Sequence, residues 1–138
     1  MSMSLVMTKA FFDSKSFKYQ ADEERNLITT GFGGLKNKGS IKIMLFFDED
    51  DHVVALRSFE FCAFPEAKKA EMYKACSELN YKYRWVKFYV DDAENQITIA
   101  DDAVIQLDSC GEEIFELMCR LADIADEAYP YLMKAIWQ

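Results

Sequence analysis

Four cysteines, one histidine and 24 acidic residues are the side chains with which this 138-residue chain could do chemistry. Cys62, Cys76, Cys110 and Cys119 include no C-x-x-C pair, and His52 is the one imidazole. Structural zinc requires four closely spaced nitrogen or sulfur ligands, so this pattern gives no metal site. A hydrolytic serine or cysteine is usually activated by a histidine, and His52 sits beside an acidic turn, where it reads as a surface residue. The runs Asp48–Asp51 and Asp91–Glu94 offer hard oxygens for Ca²⁺. They lack the alternating ligands and distal Glu of a calcium loop, and read as solvated hairpin turns. Gly31-Phe32-Gly33-Gly34 suggests a phosphate loop, but that chemistry needs a helix N-terminus after the glycines. A strand follows instead, so this segment reads as a flexible connection. Abundant carboxylates on turns are not a convergent acid–base pair. The expectation is no catalytic residue, no metal, no cofactor and no enzyme.

Charge narrows the partners. Sixteen Lys and Arg against 24 Asp and Glu leave a net −8, with a sequence pI near 4.7. Binding to nucleic acid or to an anionic membrane rests on neutralising negative charge, so both are excluded as dedicated roles. With 51% hydrophobic residues the chain can fill a core without disulfides or metal, which excludes disorder. Its length fits a single domain over residues 1–138. Three of the cysteines fall at apolar positions, and Met1–Ala10 has no cationic segment leading into a long apolar run. A reduced, cytoplasmic protein is expected. No run reaches the ~18 apolar residues of a membrane span.

Periodicity supplies the elements. Leu5 to about Lys15 has helical spacing, with Ser4 as a candidate N-cap. Leu27–Phe32, Ile41–Phe47 and Val53–Phe61 read as strands joined by short turns, which favours an antiparallel meander. Pro65 suits the first turn of a helix that carries Ala67, Ala70, Tyr73, Cys76 and Leu79, with Asn80 as a candidate C-cap. Arg84–Val90 and Gln96–Leu107 return to strands. Ser109 with Glu112 forms a capping box ahead of an apolar stripe from Ile114 to Ala128. Asp126 is placed with the acids off that stripe. Pro130 cannot donate to the Asp126 carbonyl, so a kink or break is expected near Tyr129, with Tyr131–Trp137 as a second short helix. The fold class is α+β, an antiparallel sheet of about five strands in the order α-βββ-α-ββ-α.

From Leu79-Asn80 onward come Val86-Lys87-Phe88-Tyr89-Val90-Asp91-Asp92, Gln96-Ile97-Thr98-Ile99, Asp101-Asp102, and Ala125-Asp126 with Pro130 behind them. On these stretches the chain resembles the YbjN family of bacterial sensory transduction regulators. That resemblance implies a type III secretion chaperone-like fold, a class of small proteins that bind other polypeptides and often dimerise. It carries no catalytic residues.

Strand alternation then exposes a second sheet face. If Ile43 and Leu45 face the helices, Lys42, Met44 and Phe46 face away. The same rule turns Trp85, Lys87 and Tyr89 outward, and Arg57 joins them. Met44, Phe46, Arg57, Trp85, Lys87 and Tyr89 are therefore the candidate partner-binding residues, because aromatic, Met and Arg side chains are enriched in interface cores. Aromatics and bases on a sheet also suit single-stranded RNA, against which the net charge argues. The competing reading has Leu5–Lys15 or Tyr131–Trp137 covering this face. The function expected is a regulatory domain that binds a polypeptide or itself as a homodimer. The alternative is a small-molecule or nucleotide sensor using a sheet–helix crevice. On this reading Trp85→Ala with Tyr89→Ala leaves the fold intact and weakens association, as read by light scattering. If both are core residues, the pair instead costs about 3–5 kcal/mol of stability each.

Overall fold

The structure, a computed structural model, describes residues 1–138. Helix α1 spans Met3–Ser14 and is followed by strands β1 (Gln20–Asp22), β2 (Leu27–Phe32), β3 (Ile41–Phe47) and β4 (Val53–Ala63). A 3₁₀ turn at Glu66–Lys68 leads into α2 (Lys69–Lys82), then β5 (Lys87–Asp91) and β6 (Gln96–Val104). A second 3₁₀ turn, Leu107–Ser109, opens α3 (Cys110–Trp137). The sheet is antiparallel throughout, in the order β1-β2-β3-β4-β6-β5. It has six strands rather than about five. The extra one, β1, is three exposed residues long and carries no apolar pattern to betray it. No helix is long and apolar enough to cross a membrane.

All three helices lie on one face. Ile28, Ile43, Leu45, Leu56, Phe88, Ile97 and Ile99 point into that layer and are fully buried against Leu5, Phe12, Met72, Ile114, Met118, Leu121 and Leu132. α1 crosses α3 closely: a Cβ on Gly111 would stand 2.4 Å from Phe11 Cβ, so glycine is needed there. Beside this crossing, Cys110 Sγ donates to the Ser4 carbonyl at 3.6 Å and meets Thr8 Oγ1 at 3.7 Å.

Three helix ends differ from expectation. Ser2, not Ser4, caps α1: its Oγ accepts from Leu5 N–H at 3.2 Å. Ser4 N–H donates to Asp51 Oδ1 at 2.7 Å, so the acidic turn supplies a carboxylate to the helix N-terminus. At α3, Glu113 rather than Glu112 closes the cap. Its Oε2 accepts from Ser109 Oγ at 2.7 Å and from Gln106 N–H at 3.0 Å, because the preceding 3₁₀ turn shifts the helix start. Tyr83, not Asn80, ends α2.

α3 does not break at Pro130; one helix runs from Cys110 to Trp137. The Asp126 carbonyl, which loses its helical donor to the proline, accepts from Asn37 Nδ2 at 3.0 Å. Asp126 itself is buried rather than among the solvated acids. Its Oδ1 accepts from Asn37 N–H at 3.0 Å and Lys38 N–H at 2.7 Å. The glycine-bracketed β2–β3 segment is thereby moored to α3, not free. Lys38 Nζ sits 5.6 and 5.5 Å from the ring centroids of Phe61 and Tyr129. The N–H groups of Asn37 and Lys38, downstream of the glycine run, hold an anion that is the chain's own carboxylate.

Asp126→Ala removes the acceptor of two charge-assisted bonds at a part-buried site, so a loss of about 2 kcal/mol is expected in urea unfolding. A loss below about 0.5 kcal/mol would mean the loop is not held by this carboxylate.

Candidate binding face of the sheet

Pleating puts alternate residues of each strand on the face away from the helices. Across the central strands these are Lys42, Met44 and Phe46 on β3, Val53, Ala55, Arg57 and Phe59 on β4, and Thr98, Ala100, Asp102 and Val104 on β6. Met44 stands opposite Arg57, Arg57 opposite Ala100, and Ala100 opposite Lys87. Phe46 stands opposite Ala55, and Ala55 opposite Asp102. Phe46 and Phe59 meet edge to face, 6.2 Å between centroids at 81°. No helix covers them: Phe59, Tyr89 and Val104 remain 45%, 44% and 75% exposed. The expected competitor for this face, the C-terminal segment Tyr131–Trp137, belongs to α3 and buries Leu132 and Ile136 on the other side. α1 packs against α3.

A bulge shapes the face. Between Ser58 and Cys62, three β4 residues lie against the single residue Thr98 of β6, and Glu60 takes φ +56°. This keeps Phe59 outward and turns Phe61 into the core, edge-on to Tyr129 at 5.7 Å. Two shallow grooves mark the face. One of about 310 Å³ is lined by Lys42, Met44, Phe59 and Glu60. The other, about 330 Å³, runs along Phe46, Val53, Ala55 and Asp102.

At the centre of the face Arg57 Nη1 donates to Asp102 Oδ1 at 2.7 Å and to the Leu56 carbonyl at 2.8 Å. The Asp102 hydrogen bond is the main influence raising the Arg57 pKa, holding the guanidinium charged, and Tyr89 faces the same group.

Of the six residues expected on this face, Met44, Phe46, Arg57 and Tyr89 come together. Lys87 lies at its margin, and its ammonium is engaged at the end of α2, donating to the Asn80 and Tyr83 carbonyls at 3.0 and 2.8 Å. Trp85 is not on the face. β5 starts two residues later, and Trp85 takes φ +65°, which breaks the alternation that placed it outward. Its ring covers Arg120 of α3, with Cζ 4.3 Å from the centroid. Phe59 and Asp102 were missed. Alternation from Arg57 reaches Phe59 directly, whereas Asp102 becomes a neighbour only through the β4–β6 register.

Two further groups set the limits of the site. Asn80 closes the outer edge of β5: its Oδ1 accepts from Phe88 N–H at 2.7 Å and its Nδ2 donates to the Phe88 carbonyl at 2.8 Å. The carboxamide thus imitates a neighbouring strand and blocks the edge there. On the inner face Asp101, 3% exposed, stands 3.6 Å from Arg120 Nη2. Asp101 Oδ2 and Arg120 Nε have no hydrogen-bond partner. Burial is the leading cause that raises the Asp101 pKa, and Arg120 opposes it. No group of three or more His, Cys, Asp or Glu residues is arranged to hold a metal ion.

The model of the YbjN family, described as "Putative bacterial sensory transduction regulator", matches residues 7–132. The crystal structure of YbjN from E. coli superposes with a TM-score of 0.61 at 10% identity, over 92% of each chain. A chain of the ExsC-ExsE complex superposes with a TM-score of 0.57 at 12% identity, over 99% of this chain and 98% of that one. No curated protein sequence matches. At these identities the two structures establish the fold, α+β with the helices on one side of the sheet.

Asp101 carries a pH signature. Its raised value means that the native state keeps a proton over a range where the unfolded chain has lost it. Stability therefore declines as pH climbs from the ordinary carboxylate range through the native value. In Asp101→Asn this component disappears, so its urea midpoints should lose less between about pH 4 and pH 7 than those of the wild type. Parallel profiles would show that Asp101 does not titrate in this way.

Proposed function

This chain belongs to the YbjN family, and from that premise we propose a non-enzymatic regulatory domain that acts by binding polypeptide on the outer face of its sheet. The carrying observation is that a row of Met44, Phe46, Phe59 and Tyr89 lies uncovered by any element of the chain. Exposed apolar surface of this kind has a use, since leaving it in water forgoes about 25 cal/mol per Å². A flat face with two shallow grooves fits an extended segment or another protein surface better than a small molecule, which would seek an enclosed pocket. A 30-residue core fills the space between the helices and the central strands, and the cleft of about 910 Å³ between α1 and β1–β2 is open to solvent rather than enclosed. The fold shared with a chain of the ExsC-ExsE complex, a complex of two named proteins, supports polypeptide binding as the class of function. Self-association belongs to the same reading, with a second copy as the polypeptide. Four free thiols, three of them buried, support a reducing, cytoplasmic setting.

A randomised-peptide display selection tests the proposal. Enriched peptides should bind wild type with micromolar Kd and lose at least tenfold, about 1.4 kcal/mol, on Phe46→Ala or Tyr89→Asp. Trp85→Ala should leave their affinity unchanged, since Trp85 belongs to the helix layer. A selection in which no enriched peptide depends on Phe46 or Tyr89 would overturn the assignment.

A further inference from the structure

Between Leu79 and Val90 the chain carries three bases and no acid, although 24 of its 138 residues are acidic. This stretch turns α2 into β5, and in it Tyr81, Tyr83 and Trp85 alternate with Lys82 and Arg84, with Lys87 just beyond the buried Val86. α3 adds a fourth base, Arg120, whose Cζ lies 4.3 Å from the centroid of Trp85. Part of this charge serves the fold. Lys87 donates to the Asn80 and Tyr83 carbonyls at the C-terminal end of α2, where a cation is favoured. The rest has no such use. Lys82 and Arg84 are exposed and form no ion pair. Arg120 Nε has no hydrogen-bond partner, and the carboxylate nearest the guanidinium, that of Asp101, is 3.6 Å away. Trp85 takes φ +65°, a left-handed conformation that is costly for a residue other than glycine. The core does not demand a large side chain there, since Trp85 is 57% exposed. Instead its ring holds the Arg120 guanidinium in place. Strained backbone of this kind gathers at sites that bind.

Acids limit the extent of the tract: Glu78 one turn back on α2, Asp91 at the end of β5, and Glu116, Asp123 and Glu127 along α3. A long polyanion would run from the bases onto these acids. Two or three carboxylates in a short segment match Lys82, Arg84 and Arg120 in number and sign. We infer that the α2–β5 turn is a second docking surface, which takes a short acidic segment of a partner polypeptide. The carboxylates of that segment meet Lys82, Arg84 and Arg120, and Tyr81, 94% exposed, supplies the apolar contact. Trp85 acts through Arg120 as a positioning residue. This surface goes beyond the outer face of the sheet and stands without it, since neither Phe46 nor Tyr89 takes part.

A display library of short peptides with a fixed Glu-Asp-Glu core and random flanks tests it on the full chain. Enriched peptides should bind wild type less tightly as salt rises, and lose at least tenfold in affinity on Lys82→Glu with Arg84→Glu. Lys15→Glu with Lys36→Glu makes the same change in net charge at exposed bases elsewhere. It should leave affinity within about twofold at roughly 0.15 M salt, which separates docking at this turn from attraction to any base. Lys82→Gln with Arg84→Gln should also weaken binding, and keeps the test open should the reversal disturb folding. Trp85→Ala should weaken these peptides about threefold by releasing Arg120, although it leaves peptides on the outer face unaffected. Peptides that respond equally to the two charge reversals, or to neither, would overturn the docking surface. Acidic peptides that depend on Phe46 and not on Arg84 would overturn it and leave the outer face standing. A labelled oligothymidylate that binds wild type through Arg84, and more tightly than these peptides, would overturn the choice of polypeptide in favour of single-stranded nucleic acid.

Discussion

The carboxylate of Asp126 accepts the backbone N–H groups of Asn37 and Lys38, while the carbonyl of the same residue accepts from the Asn37 side chain. Pro130 would otherwise leave that carbonyl unpaired inside the protein, a cost of about 1–3 kcal/mol and a natural place for the helix to end. With the carbonyl satisfied from outside, α3 continues as one helix to Trp137 and carries Leu132 and Ile136 into the core. Had the helix ended at Tyr129, its last eight residues would be free to fold across the other side of the sheet. With α3 running its whole length on the helix side, no C-terminal segment covers the outer face.

One-sided packing follows from the same arrangement. Helices α1, α2 and α3 fill one layer, and the close crossing at Gly111 lets α1 pack against α3. An antiparallel sheet can leave one face to solvent when that face is polar. Here it is instead a mixture of Met, Phe, Tyr, Val and a central ion pair. The β4 bulge adds to it by sending Phe59 outward and Phe61 inward. Association through the face rather than the β5 edge is the arrangement these details favour, because the Asn80 carboxamide already takes the place of a neighbouring strand at Phe88.

The two buried acids show how differently one residue type can be accommodated. Asp126 is matched by directed backbone donors and behaves as a structural tie. Asp101 faces Arg120 across 3.6 Å, and Asp101 Oδ2 and Arg120 Nε remain unpartnered. Desolvation is not fully repaid there, which is why its pKa moves upward. Trp85, laid over Arg120, shields that imperfect pair from solvent on one side.

Much of this protein is legible in its residues one at a time. The α+β class and the strands β2, β3, β4 and β6 follow from periods of 2 and 3.6, and those periods depend only on local geometry. The outward placement of Met44, Phe46, Arg57 and Tyr89 follows from the same rule. The sequence also narrows the expectations, since a chain with one histidine, no C-x-x-C and net −8 presents no metal-ligand or activated-nucleophile motif. Tertiary structure decided the rest, through contacts between residues far apart in the chain. Asp126 looked like a solvated acid because its donors lie 88 and 89 residues away. Trp85 left the face because a positive φ ahead of β5 cannot be read from alternation. Whether the outer face stays open is a question of where three helices and a loop have room to pack. Residue types on one strand bear on that only through long-range contacts, which is why the face could be listed from the sequence but not known to be bare.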